Sequence, residues 1–120
     1  MSKSALFPAT LLAGWLITGP ALAHALLLDS QPKTGAVISP GSIDFLLRYN
    51  SRVDSLRSRL VLKDGHGGKQ RLTVEAGADA ASLKAHGDDL GPGAYVLHWE
   101  VLSVDGHISR GDLGFSVGTP

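Results

Sequence analysis

A chain of 120 residues with 11 basic and 11 acidic side chains, and so no net charge, is long enough for one small domain and too short for two. Its balanced charge excludes the clustered basic excess that nucleic acid or an anionic lipid surface calls for, so no nucleic-acid partner is expected. There is no cysteine, and apolar burial alone has to hold the fold together.

The chain opens MSKSALFPATLLAGWLITGPALA, with one cationic side chain at Lys3, an apolar run from Leu11 to Ile17, a Gly19-Pro20 break and then Ala21-Leu22-Ala23. That order is a secretory signal peptide ending in an A-x-A cleavage site. The apolar run is well short of the ~20 residues a bilayer span needs. Residues 1–23 are therefore expected to be removed, leaving His24 as the first residue of a mature domain, 24–120. An N-terminal histidine offers a metal two nitrogens from one residue, the free α-amine and the imidazole.

Beyond the leader, short β-like runs alternate with Gly, Pro, Asn and Asp clusters. ALLLDS is followed by QPKTG, SIDFLLRY lies between SPG and NS, and SRLVLKD turns at DGHGG into KQRLTV. ASLKAH then runs into GDDLGPG, AYVLHWEVLSV reaches DGH, and GDLGFSV closes the domain. About seven strands at this spacing predict an all-β antiparallel sandwich or barrel. Val53, Leu56 and Leu60 are roughly helically spaced and leave a turn or two of helix open there. In the long late strand, Tyr95, Leu97, Trp99 and Val101 share one face and His98 and Glu100 the other, which makes the first set core. LGPGAY predicts a tyrosine corner, in which Tyr95 bonds back to the preceding connection.

Five histidines are present. His66 sits in a glycine-rich turn, where a polar side chain faces water. His86 and His98 lie on the polar faces of their strands and read as solvated surface residues. His107 differs in standing two positions after Asp105, with Gly106 between them. On an extended backbone that spacing puts both side chains on one side, with α-carbons ~6 to 7 Å apart, so that carboxylate and imidazole converge on one ion. Asp-Gly is also a common turn dipeptide, and taken alone the pair reads as a turn. Adding His24 gives one amine, two imidazoles and a carboxylate, an N3O set of the tetragonal kind that suits Cu(II).

The residues that carry this set also carry a family resemblance. HALLLDSQPKTGAVIS, IDFLLRYNSRVD, LVLKDGHGG and above all LGPGAYVLHWEVLSVDGHISRGDLGFSV resemble the CopC family of periplasmic copper-binding proteins over essentially the whole mature chain. Pro92, Gly93, Tyr95, Trp99, Ser103, Asp105, Gly106, His107, Gly111, Phe115 and Val117 match the family's late motif in order. The resemblance implies a seven-stranded, immunoglobulin-like Greek-key barrel or sandwich. It also implies a Cu(II) site made by His24 through its amine and imidazole, Asp105 through an oxygen and His107 through its imidazole. Some relatives carry a second, Cu(I) site in a methionine-rich hairpin. The only methionine here is Met1, in the leader, and without soft thioether ligands no such site is expected.

Other family positions differ as well. Leu26 stands where many relatives have a further histidine, and Ile108 replaces a proline. The usual acidic residue after the first long strand is replaced within RYNSR. Arg110 brings a charge close to the site, with either Asp112 or solvent as its neighbour.

On this reading the mature chain is a monomeric periplasmic protein and not an enzyme. It carries or buffers one Cu(II) ion in copper homeostasis or resistance, and the resemblance implies an inner-membrane copper importer of the CopD type as partner. Two alternatives stand beside it. A copper oxygenase built on an N-terminal histidine brace needs a substrate platform and an open axial position, for which so short a domain with few aromatics has little room. A purely structural immunoglobulin-like module would use DGH only as a turn.

Overall fold

The computed structural model describes residues 25–119; the expected leader and His24 lie outside the described residues. The described part contains nine strands and no helix: β1 (Leu27–Gln31), β2 (Val37–Ile38), β3 (Gly41–Tyr49), β4 (Val53–Asp64), β5 (Lys69–Leu72), β6 (Glu75–Ala76), β7 (Ser82–Leu90), β8 (Gly93–Ser103) and β9 (Ile108–Val117). They form two sheets, ordered β1-β3-β7-β6 and β2-β9-β8-β4-β5, packed face to face as an immunoglobulin-like sandwich. The seven long runs of the sequence are all strands. The two additional strands, β2 and β6, are only two residues each, too short to leave a periodic signal. β2 lies parallel to β9, whereas every other pairing is antiparallel.

The near-helical spacing of Val53, Leu56 and Leu60 does not make a helix. Those residues lie in β4, where Val53 and Leu60 are buried and Leu56 is 92% exposed. Seven positions apart, Val53 and Leu60 would face opposite ways on a regular strand. Between Asp54 and Arg59 the register with β8 shifts, so that five steps on β4 match two on β8. The excess bulges outward and carries Leu56 into solvent. The Asp54 carboxylate accepts the backbone N–H groups of Leu56 and Arg57 at 2.9 and 3.2 Å, which satisfies donors the bulge takes out of the ladder.

Between the sheets, alternate residues of β3, β7, β8 and β9 interdigitate. Phe45, Leu47, Leu60, Leu83, Leu97 and Leu113 are fully buried, each worth about 1.5–3 kcal/mol of apolar transfer. Tyr95 stacks on Phe115 with ring centroids 5.5 Å apart, and Tyr49 meets Trp99 edge-on at 5.3 Å. The Tyr95 hydroxyl donates to the Gly91 carbonyl at 2.8 Å, completing the tyrosine corner. Gly111, opposite Trp99 in the β8–β9 ladder, lies against the indole where a Cβ would collide with the ring.

One end of the sandwich gathers three segments. The start of β1 and the β3–β4 connection are joined by the Asn50 N–H donating to the Leu26 carbonyl at 3.0 Å. The β8–β9 connection joins them through the Val104 N–H, which points at the Arg52 carbonyl at 3.4 Å.

Candidate metal centre

The β8–β9 ladder ends at the pair Leu102 and Ile108, and a tight turn over 104–107 connects the strands. Buried Ser103 organises it. Its N–H and its hydroxyl both donate to the His107 carbonyl, at 2.8 and 3.0 Å, and its own carbonyl accepts the Gly106 N–H at 2.9 Å. Gly106 has φ +94°, a left-handed conformation that a Cβ penalises. The Asp105 Oδ1 accepts the His107 N–H at 3.3 Å and lies 3.2 Å from His107 Nδ1. The pair therefore converges through the turn that the Asp-Gly dipeptide suggested, and not through the pleat of an extended strand. Both side chains are exposed at the tip.

Partial loss of solvent around the Asp105 carboxyl pushes its pKa up. The hydrogen bonds from the His107 ring and N–H and from Ser103, with the charge of His107, outweigh that and hold it below the usual carboxylate range.

The start of the described chain is anchored beside this turn. Ala25, the residue after His24, is 2% exposed, and its N–H donates to the Ser109 hydroxyl at 3.0 Å. Leu26 is gripped in both directions by Asn50, whose side-chain oxygen accepts the Leu26 N–H at 2.8 Å. The sequence pattern marked Ser103 through the family motif but drew no attention to Ser109 or Asn50. Their role depends on a contact between segments 84 and 24 positions apart. Around the turn, Leu26, Leu28, Val104 and Ile108 are exposed apolar side chains.

The remaining histidines are distributed over the outer faces. His66 lies exposed in the β4–β5 turn, held by its N–H donating to the Asp64 carboxylate at 2.8 Å. His86 and His98 are not simply solvated, because each lies between two carboxylates. His98 Nδ1 is 2.8 Å from Asp112 and its Nε2 3.1 Å from Glu100. His86 Nδ1 is 2.6 Å from Asp44 and its Nε2 2.8 Å from Asp88. Cross-strand neighbours, invisible to a periodicity argument, supply Asp44 and Asp112. Arg110 pairs with neither Asp112 nor solvent alone: its Nε lies 3.6 Å from Glu100, which Arg59 meets at 2.9 Å.

Among the described residues no three His, Asp or Glu side chains gather where they could hold a metal ion. The structure brings Asp105 and His107 together, and the third expected ligand, His24, lies outside the described residues.

An immunoglobulin-like sandwich with an aspartate–histidine turn beside its anchored N-terminal segment defines a class of small β domain. Residues 27–118 match the CopC domain, and the chain belongs to the CopC family; its function is copper-related. Protein YobA of Escherichia coli K12 is 28% identical over 120 residues, spanning 97% of this chain and 96% of its own. The crystal structure of CopC from Methylosinus trichosporium OB3b superposes with a TM-score of 0.74 at 28% identity, over 80% of this chain and 95% of that one. PcoC, a methionine-rich copper resistance protein from Escherichia coli, shares the fold with a TM-score of 0.69 at 23% identity, over 79% of this chain and 99% of its own.

Proposed function

We propose that the mature chain, beginning at His24, is a monomeric periplasmic protein that binds one Cu(II) ion as cargo and carries or buffers it. In this reading His24 supplies its amine and imidazole, Asp105 a carboxylate oxygen and His107 its imidazole. Three nitrogens and one oxygen form a borderline-to-hard set suited to tetragonal Cu(II), and the absence of cysteine and of any methionine after Met1 leaves no soft ligand to favour Cu(I). An inner-membrane copper importer is the recipient that the family resemblance suggests. In this reading the copper is cargo that is held and passed on.

The observation that carries the reading is the anchoring of Ala25 to Ser109 at 3.0 Å, two residues after His107 in the chain. Ala25 is thus held beside the turn, and the reading takes His24, the residue before it in sequence, as the third ligand. The donor set fits the turn on its own terms, since Asp105 and His107 already present an oxygen and a nitrogen 3.2 Å apart at an exposed tip.

The test is a Cu(II) competition titration of the chain starting at His24 against one carrying a single extra residue before it. The extension converts the amine into an amide and breaks the chelate with the imidazole, so affinity should fall by orders of magnitude. Equal affinities would remove His24 from the site.

A further inference from the structure

We propose that His86 is a proton-operated staple between β3 and β7: protonated, it donates to Asp44 across the strand pair and to Asp88 along its own strand at once, and neutral, it keeps only one of the two. This goes beyond the copper reading and does not rest on it.

The geometry requires a choice on deprotonation. His86 Nδ1 lies 2.6 Å from Asp44 Oδ1 and Nε2 lies 2.8 Å from Asp88 Oδ1. Each contact is within hydrogen-bond range, and a carboxylate only accepts. The imidazolium has two N–H donors and satisfies both. A neutral ring has one, and its bare nitrogen must then face an oxygen lone pair. The two carboxylates differ in what else supports them. Asp88 Oδ1 also accepts the Ser42 hydroxyl at 3.1 Å, whereas among the described residues Asp44 has no other donor. The neutral ring should therefore keep its proton on Nδ1, toward Asp44, and release Asp88 to Ser42.

The staple sits beside an irregularity of the sheet. Asp44 and His86 are directly opposed, next to the register irregularity between Gly41 and Ile43, and Asp89 beyond it has φ +55°, a left-handed conformation unusual for a side-chain-bearing residue. With fewer regular ladder bonds at that end, side-chain links between β3 and β7 carry more of the pairing.

The charges facing the ring come from every neighbouring element: Asp44 from β3, Asp88 and Lys84 from β7, Glu75 from β6 and Arg71 from β5, all lining one cleft. Lys84 is directed to Glu75 at 3.9 Å. The hydrogen bonds to Asp44 and then Asp88 raise the His86 pKa above the ordinary histidine value, against a smaller opposing effect of burial. A histidine raised in the folded state contributes stability that is fully present below its unfolded value, about 6.5, and is lost as pH rises through its folded value.

The experiment is a nitrogen-edited NMR titration of the His86 imidazole in the copper-free chain from His24 to Pro120, with denaturant midpoints for that chain and for His86→Gln between about pH 5.5 and 8.5. The expected result is a titration midpoint above about 6.5, a neutral form protonated on Nδ1, and a stability margin over His86→Gln that is largest at acid pH and closes as His86 deprotonates. A midpoint at or below the ordinary value, or a margin constant across the range, would overturn the staple. If His86→Gln does not fold, the titration of the native chain decides alone. With no copper present, neither result bears on the metal reading.

Discussion

His107, His86 and His98 each place an imidazole nitrogen close to an aspartate oxygen, at 3.2, 2.6 and 2.8 Å. An aspartate–histidine contact is thus common in this chain and does not by itself mark a metal site. What separates His107 is the neighbouring Ala25, the residue that follows His24 in sequence. His86 and His98 have both ring nitrogens engaged by carboxylates on opposite sides of the ring, so their acidic neighbours cannot share a metal bound at one nitrogen. We expect His107→Ala to weaken Cu(II) binding by at least about 100-fold, beyond the 10–100-fold typical of supporting residues. Asp105→Ala should cost less, because water replaces an oxygen ligand more readily than a nitrogen one. His66→Ala, His86→Ala and His98→Ala should leave one-to-one binding unchanged, and isothermal titration of the five variants would check the assignment.

Among the elements, β9 does two jobs at its first turn of sequence. Its Ile108 closes the ladder with Leu102, which fixes the Asp105–His107 turn, and its Ser109 holds the backbone of Ala25, which fixes where β1 enters the sandwich. Asn50 holds the next residue from the β3–β4 connection. Ala25 and Leu26 are therefore positioned by two elements that the sequence separates widely, and their entropy is lost on folding. Preorganisation of this kind raises affinity by removing an ordering cost from binding. Ser109→Ala removes one buried-end hydrogen bond, worth about 0.5–1.5 kcal/mol of stability. It should also loosen Ala25 enough to weaken Cu(II) binding by about tenfold, in the range of supporting residues. Parallel thermal melts and copper titrations of Ser109→Ala would separate the two effects; a loss of stability with unchanged affinity would mean that the anchor serves the fold alone.

For the whole molecule, the proposed copper site and the proposed staple respond to acid in opposite directions. In the proposed site, copper competes with protons for an α-amine and two imidazoles. Apparent Cu(II) affinity should consequently rise steeply from pH 5 to pH 8, with a slope of more than about one proton in part of that window. Competition against a chelator of known pH dependence measures it, and a slope of about one proton or less would contradict a three-nitrogen site. Over the same interval the His86 staple is closed at the acid end and opens as pH rises, since its pKa lies above the ordinary value. A domain that unloads copper in acid would thus do so while its β3–β7 pairing is tightest.

The sequence by itself determined the sandwich and its seven long strands, because alternation of side chains along a strand is a local, period-two property. Tyr95, Leu97, Trp99 and Val101 on one face of β8 illustrate this, as does the tyrosine corner written into LGPGAY. It also singled out Asp105 and His107 as candidate ligands by type and spacing, with His24 added as the residue behind an expected cleavage site. Only the tertiary structure decided how Asp105 and His107 converge. Their spacing allowed either an extended pair or a turn, and the turn forms because Ser103 closes a hydrogen-bonded loop around Gly106. It likewise decided that Val53 and Leu60 share a face, through a bulge with no periodic signature. Carboxylates brought from adjacent strands engage His86 and His98, and Ser109 meets Ala25 across 84 positions. Each of these depends on which strand lies beside which, and strand order is set by burying both sheets against one core.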